Sequence, residues 1–435
     1  MNKVSKYFLI LMVLIMAASA CQVIETTPPP VEPTETEVPV EPDPTEDVVI
    51  VPTEDLPLVD EDGRMICTIV EPLFTELTEE QKQQLAIFPA VSDEDFSKGP
   101  EDALITIIEY TDFFCPYCQM AFAEFELLME KYPDDVRLVY RHLPLESLHP
   151  TAPLAAYAAE AAGRQGKFWE LYEAIFSNQT ELSPLPAEEL TAWLIETAGE
   201  LEMDVQQFTE DLENEDLREK INAHTLTMFD NSVSSTPTVL INGRPLGNWT
   251  SAYLTNIIEV MKVEKSLPTE CPEFVIDQSK DYTATIETEH GEMVIELYDD
   301  VAPLAVNSFV YLVRQGFYDD VTFHRVYHDF MAQTGDPTGT GWSGAGYQYR
   351  EEISPDYTFD EAYMLGVAKS SAPASSGSQF FITYVPYPTL NGGYTVFGKL
   401  IDGFDVFEMI TERDADNNPD APAGDAIISI RIDEK

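Results

Sequence analysis

The stretch DFFCPYCQM, residues 112–120, places two cysteines two residues apart. It continues an apolar, β-branched run, ALITIIEYTDFF (103–114), which predicts a buried strand. Pro116 is of the type favoured at the first helical position, and helical periodicity follows it. Cys115 is therefore expected at a helix N-terminus, where free N–H groups and the helix dipole stabilise a thiolate. Cys118 is expected one turn further in and less exposed.

Three interpretations of this cysteine pair are open from the residues alone. A zinc site needs two more ligands, but Cys67 and Cys271 are isolated and the six histidines are scattered without ligand spacing. A structural disulfide across so short a loop removes little chain entropy. The pattern favours a redox pair, with Cys115 as the attacking thiol and Cys118 as the resolving thiol. Neither a cofactor nor a metal is predicted.

The beginning of the chain has the pattern of an export signal. Lys3 and Lys6 precede an apolar run from Phe8 to Ala20, which is short for a membrane span. Residues 1–20 are thus predicted to be a signal peptide. Cys21 directly after it resembles the lipidated cysteine of a bacterial lipoprotein, although Ala18 stands where leucine is usual. Ordinary cleavage with secretion and a retained anchor are the alternatives.

Residues 21–63 are predicted to be a disordered tether. Residues 22–63 hold nine prolines and thirteen acidic residues, with no lysine or arginine, so they bury too little apolar surface to fold. The rest of the chain is acidic too, because the whole chain has 78 acidic and 24 basic residues and a net charge of −54. This charge argues against nucleic acid or anionic lipid as a binding partner.

About 370 residues remain after the tether, which suggests two domains. A helical pattern stops and an alternating strand pattern begins within KSLPTECPEFVIDQSKD, residues 265–281. The predicted domains are therefore residues 64–277, with an N-terminal extension, and residues 281–435.

The first domain resembles the thioredoxin-like family, and within it the DsbA-like subgroup. The resemblance covers about residues 95–265 and rests on the strand, the CxxC and the helix that follows. It rests also on a helical insert that starts with TAPLAAYAAEAAGRQGKFWELYEAIF (151–176), on Thr236-Pro237 before a strand, and on a final helix, Trp249–Val263. It implies an α/β thioredoxin-like domain with a helical insertion.

The resemblance also implies roles for individual residues. Pro237 is expected to be cis and to pack beside the CxxC, and the backbone at Thr236 is expected to bind a client chain in extended form. Glu109 stands where the family has a buried acid near the resolving cysteine, so it could accept the proton of Cys118. The alternative for Glu109 is an edge-strand side chain that faces water. The direction of electron flow is left open.

Two cysteines remain after these assignments. The chain has five cysteines in all. If Cys21 is lipidated and Cys115 pairs with Cys118, parity favours a structural disulfide between Cys67 and Cys271.

The second domain begins with a predicted hairpin, YTATIETEHGEMVIELYDD (282–300). A helix at residues 305–316 and many short strands with Gly/Pro turns follow, which indicates an all-β barrel or sandwich. Three motifs resemble the cyclophilins, the prolyl isomerase family: FHRVYHDFMAQTGDPTGTG (323–341), GSQFFIT (377–383) and LNGGYTVFGKL (390–400). This resemblance spans residues 281–435 and implies a closed eight-stranded barrel with two helices.

The cyclophilin resemblance implies a site without a nucleophile or a metal. Arg325 matches the catalytic arginine, for which a surface salt bridge is the alternative, and His324 is expected to be structural. Two departures are Thr389, where many eukaryotic members have tryptophan, and Tyr394, where they have histidine. The residues expected to bind substrate are Phe330, Met331, Phe381 and Leu390 in an apolar pocket, Gln333 and Gln379 as polar groups, the backbone at Lys369, and Tyr394.

Together these patterns predict a multidomain folding catalyst outside the cytoplasm, lipid-anchored to a membrane, or periplasmic or secreted without lipidation. Its expected partners are unfolded or partly folded secreted polypeptides and a membrane redox partner. Two alternatives remain. The CxxC could serve as a reductase for one partner, or the protein could be a non-enzymatic chaperone that binds peptides.

Overall fold

The computed structural model describes residues 56–369, 374–414 and 421–435. All of the described residues belong to one compact unit of the chain. Within the described residues, no helix combines the length and the apolar character that crossing a membrane requires.

The predicted signal peptide (1–20) and Cys21 lie outside the described residues, as does the predicted tether up to residue 55. The last part of that tether is folded, which differs from the sequence prediction. Val59 forms a β-bridge with Met65, and Arg350 donates hydrogen bonds to the carbonyls of Pro57 and Leu56. The composition of the tether did not predict this folded part, because the few apolar residues that pack lie among prolines and carboxylates.

The first folded region is an α/β structure around a five-stranded sheet, and a short strand of the N-terminal extension, β1 (Thr68–Ile69), precedes it. Its elements are α1 (Glu79–Gln84), β2 (Phe96–Lys98), β3 (Ile105–Thr111), α2 (Pro116–Lys131), β4 (Val136–His142), α3 (Ala152–Arg164), α4 (Phe168–Ser177), α5 (Gln179–Leu182), α6 (Ala187–Glu200), α7 (Val205–Leu212), α8 (Glu215–Asp230), β5 (Thr238–Ile241), β6 (Arg244–Leu246) and α9 (Ser251–Glu264). The sheet has the order β2-β4-β3-β5-β6. Strands β3 and β4 are parallel, and the other neighbours are antiparallel.

The alternation of the central strand explains the layers of this region. Ile107 packs in a buried cluster with Phe125 of α2 and Ile257 of α9. Ile108 faces the other side of the sheet and packs with Met228 of α8. The predicted strand, the helix from Pro116, the helical insertion and the final helix are all present, so the thioredoxin-like organisation is confirmed.

The second folded region is built on an eight-stranded antiparallel sheet. The elements of this region are β7 (Tyr282–Thr288), β8 (Gly291–Leu297), α10 (Pro303–Arg314), β9 (Arg325–Val326), β10 (Met331–Thr334), β11 (Tyr347–Arg350), β12 (Met364–Val367), β13 (Ala374–Ser376), β14 (Phe380–Thr383), β15 (Val396–Asp402), α11 (Phe404–Phe407) and β16 (Ile427–Glu434). The sheet has the order β16-β7-β8-β15-β12-β14-β10-β9. The predicted hairpin is formed by β7 and β8.

The described strands do not form the fully closed barrel that was predicted. The sheet curls, but its two outer strands, β9 and β16, do not form a ladder with each other. The gap between them is crossed by an isolated bridge, Thr322 to Ala426, and by single backbone bonds such as Phe323 N to Asp425 O. A curled, incompletely closed sheet therefore replaces the predicted barrel.

The N-terminal extension joins both regions, although the sequence assigned it to the first. Strand β1 (Thr68–Ile69) pairs with β11 of the second region. Met65 is fully buried in the core of the second region. Just beyond β1, the N–H of Leu73 donates to Oε1 of Glu264 in α9, at 2.6 Å. The predicted disulfide between Cys67 and Cys271 is present, and it ties this extension to the linker after α9.

Replacing both Cys67 and Cys271 with serine should lower the free energy of unfolding. The bond joins residues 204 positions apart, and closing so long a loop stabilises a protein by about 2–5 kcal/mol. Urea unfolding of the double variant and the unchanged protein measures the difference. Intact-mass analysis after alkylation without reduction provides the check on the bond itself. Labelling of both cysteines would contradict the pairing.

Candidate active sites

The CxxC lies where β3 turns into α2. Cys115 is the N-cap residue of α2, and its carbonyl accepts hydrogen bonds from the N–H groups of Cys118 and Gln119. Cys118 has no exposed surface, whereas 5% of Cys115 is exposed. The two cysteines are not joined by a disulfide in this structure. Both cysteines are buried, and Cys118 is the less exposed of the two, as predicted.

Pro237 lies against this turn. The Thr236–Pro237 peptide bond is cis, as the resemblance implied. Sγ of Cys115 is 3.3 Å from the carbonyl oxygen of Thr236. Because proline has no N–H, the backbone beside the sulfur presents acceptors and leaves room for an extended chain.

The two thiols differ strongly in acidity. A hydrogen bond from the Cys118 thiol lowers the pKa of Cys115 to about 5, although partial burial opposes this shift. Burial raises the pKa of Cys118 well above its usual value, and the hydrogen bond to Cys115 adds to that increase. Cys115 is therefore a thiolate at neutral pH, whereas Cys118 keeps its proton until the exchange reaction removes it.

Glu109 is enclosed directly beneath the pair. It lies in β3, which has neighbours on both sides, and none of its surface is exposed, so the alternative of a water-facing edge residue was wrong. Burial raises the pKa of Glu109 to about 8. Its charge in turn contributes to the raised pKa of Cys118. At neutral pH, Glu109 is mostly protonated and can give a proton to, or take one from, a nearby sulfur.

Two further residues hold the CxxC turn, and sequence reasoning missed both. Nε2 of Gln179 in α5 donates to the carbonyls of Phe113, at 2.8 Å, and Cys115, at 2.9 Å. The Asp112 carboxylate accepts from the N–H groups of Phe114 and Leu145. Asp112 is the first residue of the stretch DFFCPYCQM, so its position next to the cysteine pair could have indicated a role there. Gln179 lies far along the chain, and no local pattern marked it.

Arg325 lies at one edge of the curled sheet. It belongs to β9 and pairs with Gln333 of β10. Its guanidinium carbon is 5.1 Å from the centre of the Tyr327 ring, which limits the positions that the group can take. His324 beside it is 2% exposed, consistent with the structural role that we expected for it.

An apolar cluster lies next to Arg325 and contains the predicted pocket residues. Met331 and Phe381 are buried in it, and Phe330, Leu390 and Tyr394 pack against it. All five were named from the sequence as pocket or substrate-binding residues. Phe359 and Met364 also belong to the buried part of the cluster. They stand outside the quoted motifs, so the sequence offered no reason to select them.

The predicted polar groups form a chain of hydrogen bonds beside this cluster. Nε2 of Gln333 donates to Oε1 of Gln379 at 2.8 Å, and Nε2 of Gln379 donates to the carbonyl of Gly341 at 3.0 Å. Asp336 organises the loop that carries Gly341, since its carboxylate accepts from the N–H groups of Thr338 and Gly341. Asp336 was part of a quoted motif but was given no role.

Lys369 and Tyr394 lie close together at the margin of the cluster. Nζ of Lys369 is 2.5 Å from Oε1 of Glu351 and 4.8 Å from the centre of the Tyr394 ring. Tyr394 also meets Phe381 edge to face. The Lys369 ammonium is thus neutralised, which leaves its backbone as the part expected to meet a client. Residues 370–373 directly after it lie outside the described residues.

One group of described side chains has the spacing of metal ligands. The ligand atoms of Glu289, His290 and Asp425 lie within 4.8 Å of one another. His290 already shares a hydrogen bond with Asp425, which also accepts from the N–H of Thr411. These contacts give the group a structural role, and the expectation that no metal is needed stays a prediction.

Comparison with known proteins identifies both folded regions. Residues 283–432 match the family described as "Cyclophilin type peptidyl-prolyl cis-trans isomerase/CLD", and residues 92–260 match the family described as "Thioredoxin".

Several curated relatives match the second region. Probable peptidyl-prolyl cis-trans isomerase A of Mycobacterium bovis is 40% identical over 163 residues, which cover 34% of this chain and 88% of that protein. Peptidyl-prolyl cis-trans isomerase-like 1 of Mus musculus is 40% identical over 146 residues, 33% of this chain and 87% of that protein. Peptidyl-prolyl cis-trans isomerase-like 2 of Cryptococcus neoformans is 42% identical over 175 residues, and the match spans 39% of this chain but only 30% of that relative.

Among solved structures, a cyclophilin type peptidyl-prolyl cis-trans isomerase of Cryptosporidium parvum is similar to this chain. It is 35% identical, with a TM-score of 0.33, and the match covers 36% of this chain and 99% of that one.

The raised pKa of Glu109 predicts a pH-dependent step in the chemistry of the pair. When reduced protein reacts with oxidised glutathione, Cys115 attacks first, and Cys118 must then lose its proton to displace glutathione. The second step should accelerate as pH rises through about 8, where Glu109 becomes a carboxylate base. Glu109→Gln should slow that step about 10²-fold and remove the rise, without changing the attack by Cys115.

Stopped-flow kinetics with trapping of the mixed disulfide separates the two steps, and Glu130→Gln on the exposed face of α2 is the control. The folded-state pKa of Glu109 is above its unfolded value, so this group destabilises the fold as pH rises from 4.5 towards 8. The glutamine variant should therefore stay folded at pH 8. An unchanged pH profile in that variant would rule out Glu109 as the base.

Proposed function

Because the chain belongs to the cyclophilin-type peptidyl-prolyl cis-trans isomerase family and also carries a thioredoxin-like domain, we propose that it catalyses two steps of protein folding. The second region interconverts cis and trans X–Pro bonds. The first region exchanges disulfides with client proteins. The observation that carries this proposal is that each region brings its reactive group, Arg325 or Cys115, to the edge of a surface suited to an extended chain.

Isomerisation needs a group that favours a twisted amide over either planar form. Amide resonance sets a barrier of about 20 kcal/mol, and withdrawing the lone pair of the prolyl nitrogen weakens that resonance. Arg325 supplies a permanent positive charge beside the apolar cluster of Met331 and Phe381, which has the chemistry to seat a proline ring. The guanidinium then stabilises the twisted state more than the ground states.

Disulfide exchange follows from the unequal pair of thiols. In the oxidised pair, a client thiolate attacks Sγ of Cys115, the Cys115–Cys118 bond breaks, and Cys118 leaves. Cys118 is a poor leaving group unless it gains a proton, which Glu109 can supply. A second client thiolate attacks the client sulfur of the mixed disulfide and releases Cys115. Two electrons thereby pass from the client dithiol to the pair.

The acidity of Cys115 favours this oxidising direction. A pKa of about 5 stabilises the reduced pair, and a stabilised reduced form makes the disulfide form a stronger oxidant. Turnover then requires a partner that removes two electrons from the pair, and we propose that it is a membrane redox protein. Reduction of one dedicated client would run the same chemistry backwards.

The sequence supports a setting outside the cytoplasm. The signal pattern of residues 1–20 and the cysteine at position 21 favour a lipid-anchored protein that acts on secreted or unfolded polypeptides as clients, with no role for nucleic acid. A pair that oxidises clients functions only where thiols are not kept reduced. The proposed chemistry and the proposed location therefore agree.

A peptide-binding chaperone without catalysis is the alternative from another class. It would use the same apolar cluster but would need neither the charge of Arg325 nor the nucleophilicity of Cys115. The lowered pKa of Cys115 favours catalysis, because passive binding has no use for a thiolate.

Two single substitutions should separate the two activities. Arg325→Ala should lower kcat/KM for an X–Pro peptide about 10²–10³-fold, since it removes the charge that acts on the twisted amide. Oxidation of a reduced client should be unchanged. Cys115→Ser should abolish client oxidation and leave isomerisation intact.

Peptide isomerisation and the appearance of client disulfides are measured on the same preparations. Arg431→Ala, a change at an exposed arginine of the second region, is the control for Arg325→Ala. If both single variants kept full activity in both assays, binding rather than catalysis would be the function.

A further inference from the structure

A groove with a volume of about 580 Å³ lies beside the isomerase site and has walls from both folded regions. This volume is in the range of sites that bind ligands, about 300–1,000 Å³. The first region supplies Val260 and Glu264 from α9, followed by Leu267 in the linker. The second region supplies residues 341–348, and the N-terminal extension supplies residues 69–72.

The groove is continuous with the isomerase site. Gln333 and Gln379, the polar pair that we assign to peptide binding, line it. Gln333 is also the strand partner of Arg325. A client whose proline occupies the apolar cluster therefore passes these two glutamines and enters the groove with the residues next to the proline.

Contacts between the regions hold the walls of the groove in place. Trp342 meets Tyr253 of α9 edge to face, with ring centres 5.0 Å apart. The N–H of Val70 donates to the carbonyl of Gly346 at 2.9 Å. Glu264 is held by the N–H of Leu73, and the disulfide between Cys67 and Cys271 closes the same junction. These contacts between the two regions fix the walls of the groove in the intact chain.

The chemistry of the walls selects one kind of occupant. Apolar side chains dominate the lining, and Trp342 keeps 48% of its surface exposed there. The ionised side chains include two carboxylates, Glu71 and Glu264, while the ammonium of Lys369 is already paired with Glu351. A client segment with a bulky apolar side chain would be desolvated favourably, whereas a client carboxylate would be repelled.

We propose that the thioredoxin-like region is a specificity element of the isomerase, because its α9 forms one wall of the groove that receives the client residues next to the proline. This inference rests on the proposed isomerase function. The occupant is an extended client segment with a large apolar side chain and no acidic residue. The isomerase region by itself supplies only part of this surface.

The test compares seven matched peptides in the full-length protein. One ends one residue from the X–Pro bond. The other six are extended towards the N-terminus or the C-terminus, each direction with leucine, alanine or glutamate in the extension. For one direction of extension, leucine should improve kcat/KM about tenfold over alanine, and glutamate should be the poorest. Trp342→Ala should remove the leucine preference and leave the short peptide unaffected.

Met409→Ala is the matched control, since Met409 is exposed to a similar degree, 50%, and lies outside the groove lining. Fluorescence anisotropy of labelled peptides on Arg325→Ala protein tests binding without catalysis. If the unchanged protein isomerised none of the peptides, the proposed function would be overturned. A preference for leucine peptides in binding would still support the groove. Equal binding and turnover of leucine and alanine peptides, or a preference unchanged by Trp342→Ala, would overturn the groove.

Discussion

Residues 64–73 cross from one folded region to the other, and the Cys67–Cys271 bond holds them there. Before the bond, Met65 is buried in the core of the second region. At the bond, β1 adds a strand to β11. After it, Leu73 is bound to the last turn of α9. The segment therefore gives the helix of one region a defined place beside the peptide-binding surface of the other, and the groove beside Gln333 and Gln379 depends on it.

The two sites obtain their reactivity from opposite uses of burial. The proposed redox site encloses groups that titrate. Desolvation raises the pKa values of Glu109 and Cys118, while a hydrogen bond from the Cys118 thiol lowers the pKa of Cys115. The proposed isomerase site instead places the guanidinium of Arg325 at the edge of an apolar cluster.

Much of both sites was predictable because local chemistry marks them. Cys115 precedes a proline that starts a helix, so its position followed from a short pattern, whereas the position of Pro237 beside it followed from the family resemblance. Gln179 was not predictable, since its hydrogen bonds to Phe113 and Cys115 join distant parts of the chain. The end of the tether was misplaced because the hydrogen bonds from Arg350 to Leu56 and Pro57 join distant parts of the chain. The closed barrel was expected from the cyclophilin resemblance, and the described strands form a curled sheet whose outer strands, β9 and β16, do not pair as a ladder.

We propose that one chain acts on one client through both sites. Refolding of a reduced client whose native state needs a disulfide and an X–Pro isomerisation tests this. The unchanged protein is compared with an equal mixture of Arg325→Ala and Cys115→Ser proteins, with matched concentrations of each intact site. The unchanged protein should refold the client faster at low concentration, because a client bound at one site meets the other at a high effective concentration. Equal refolding rates would show that the two sites act independently.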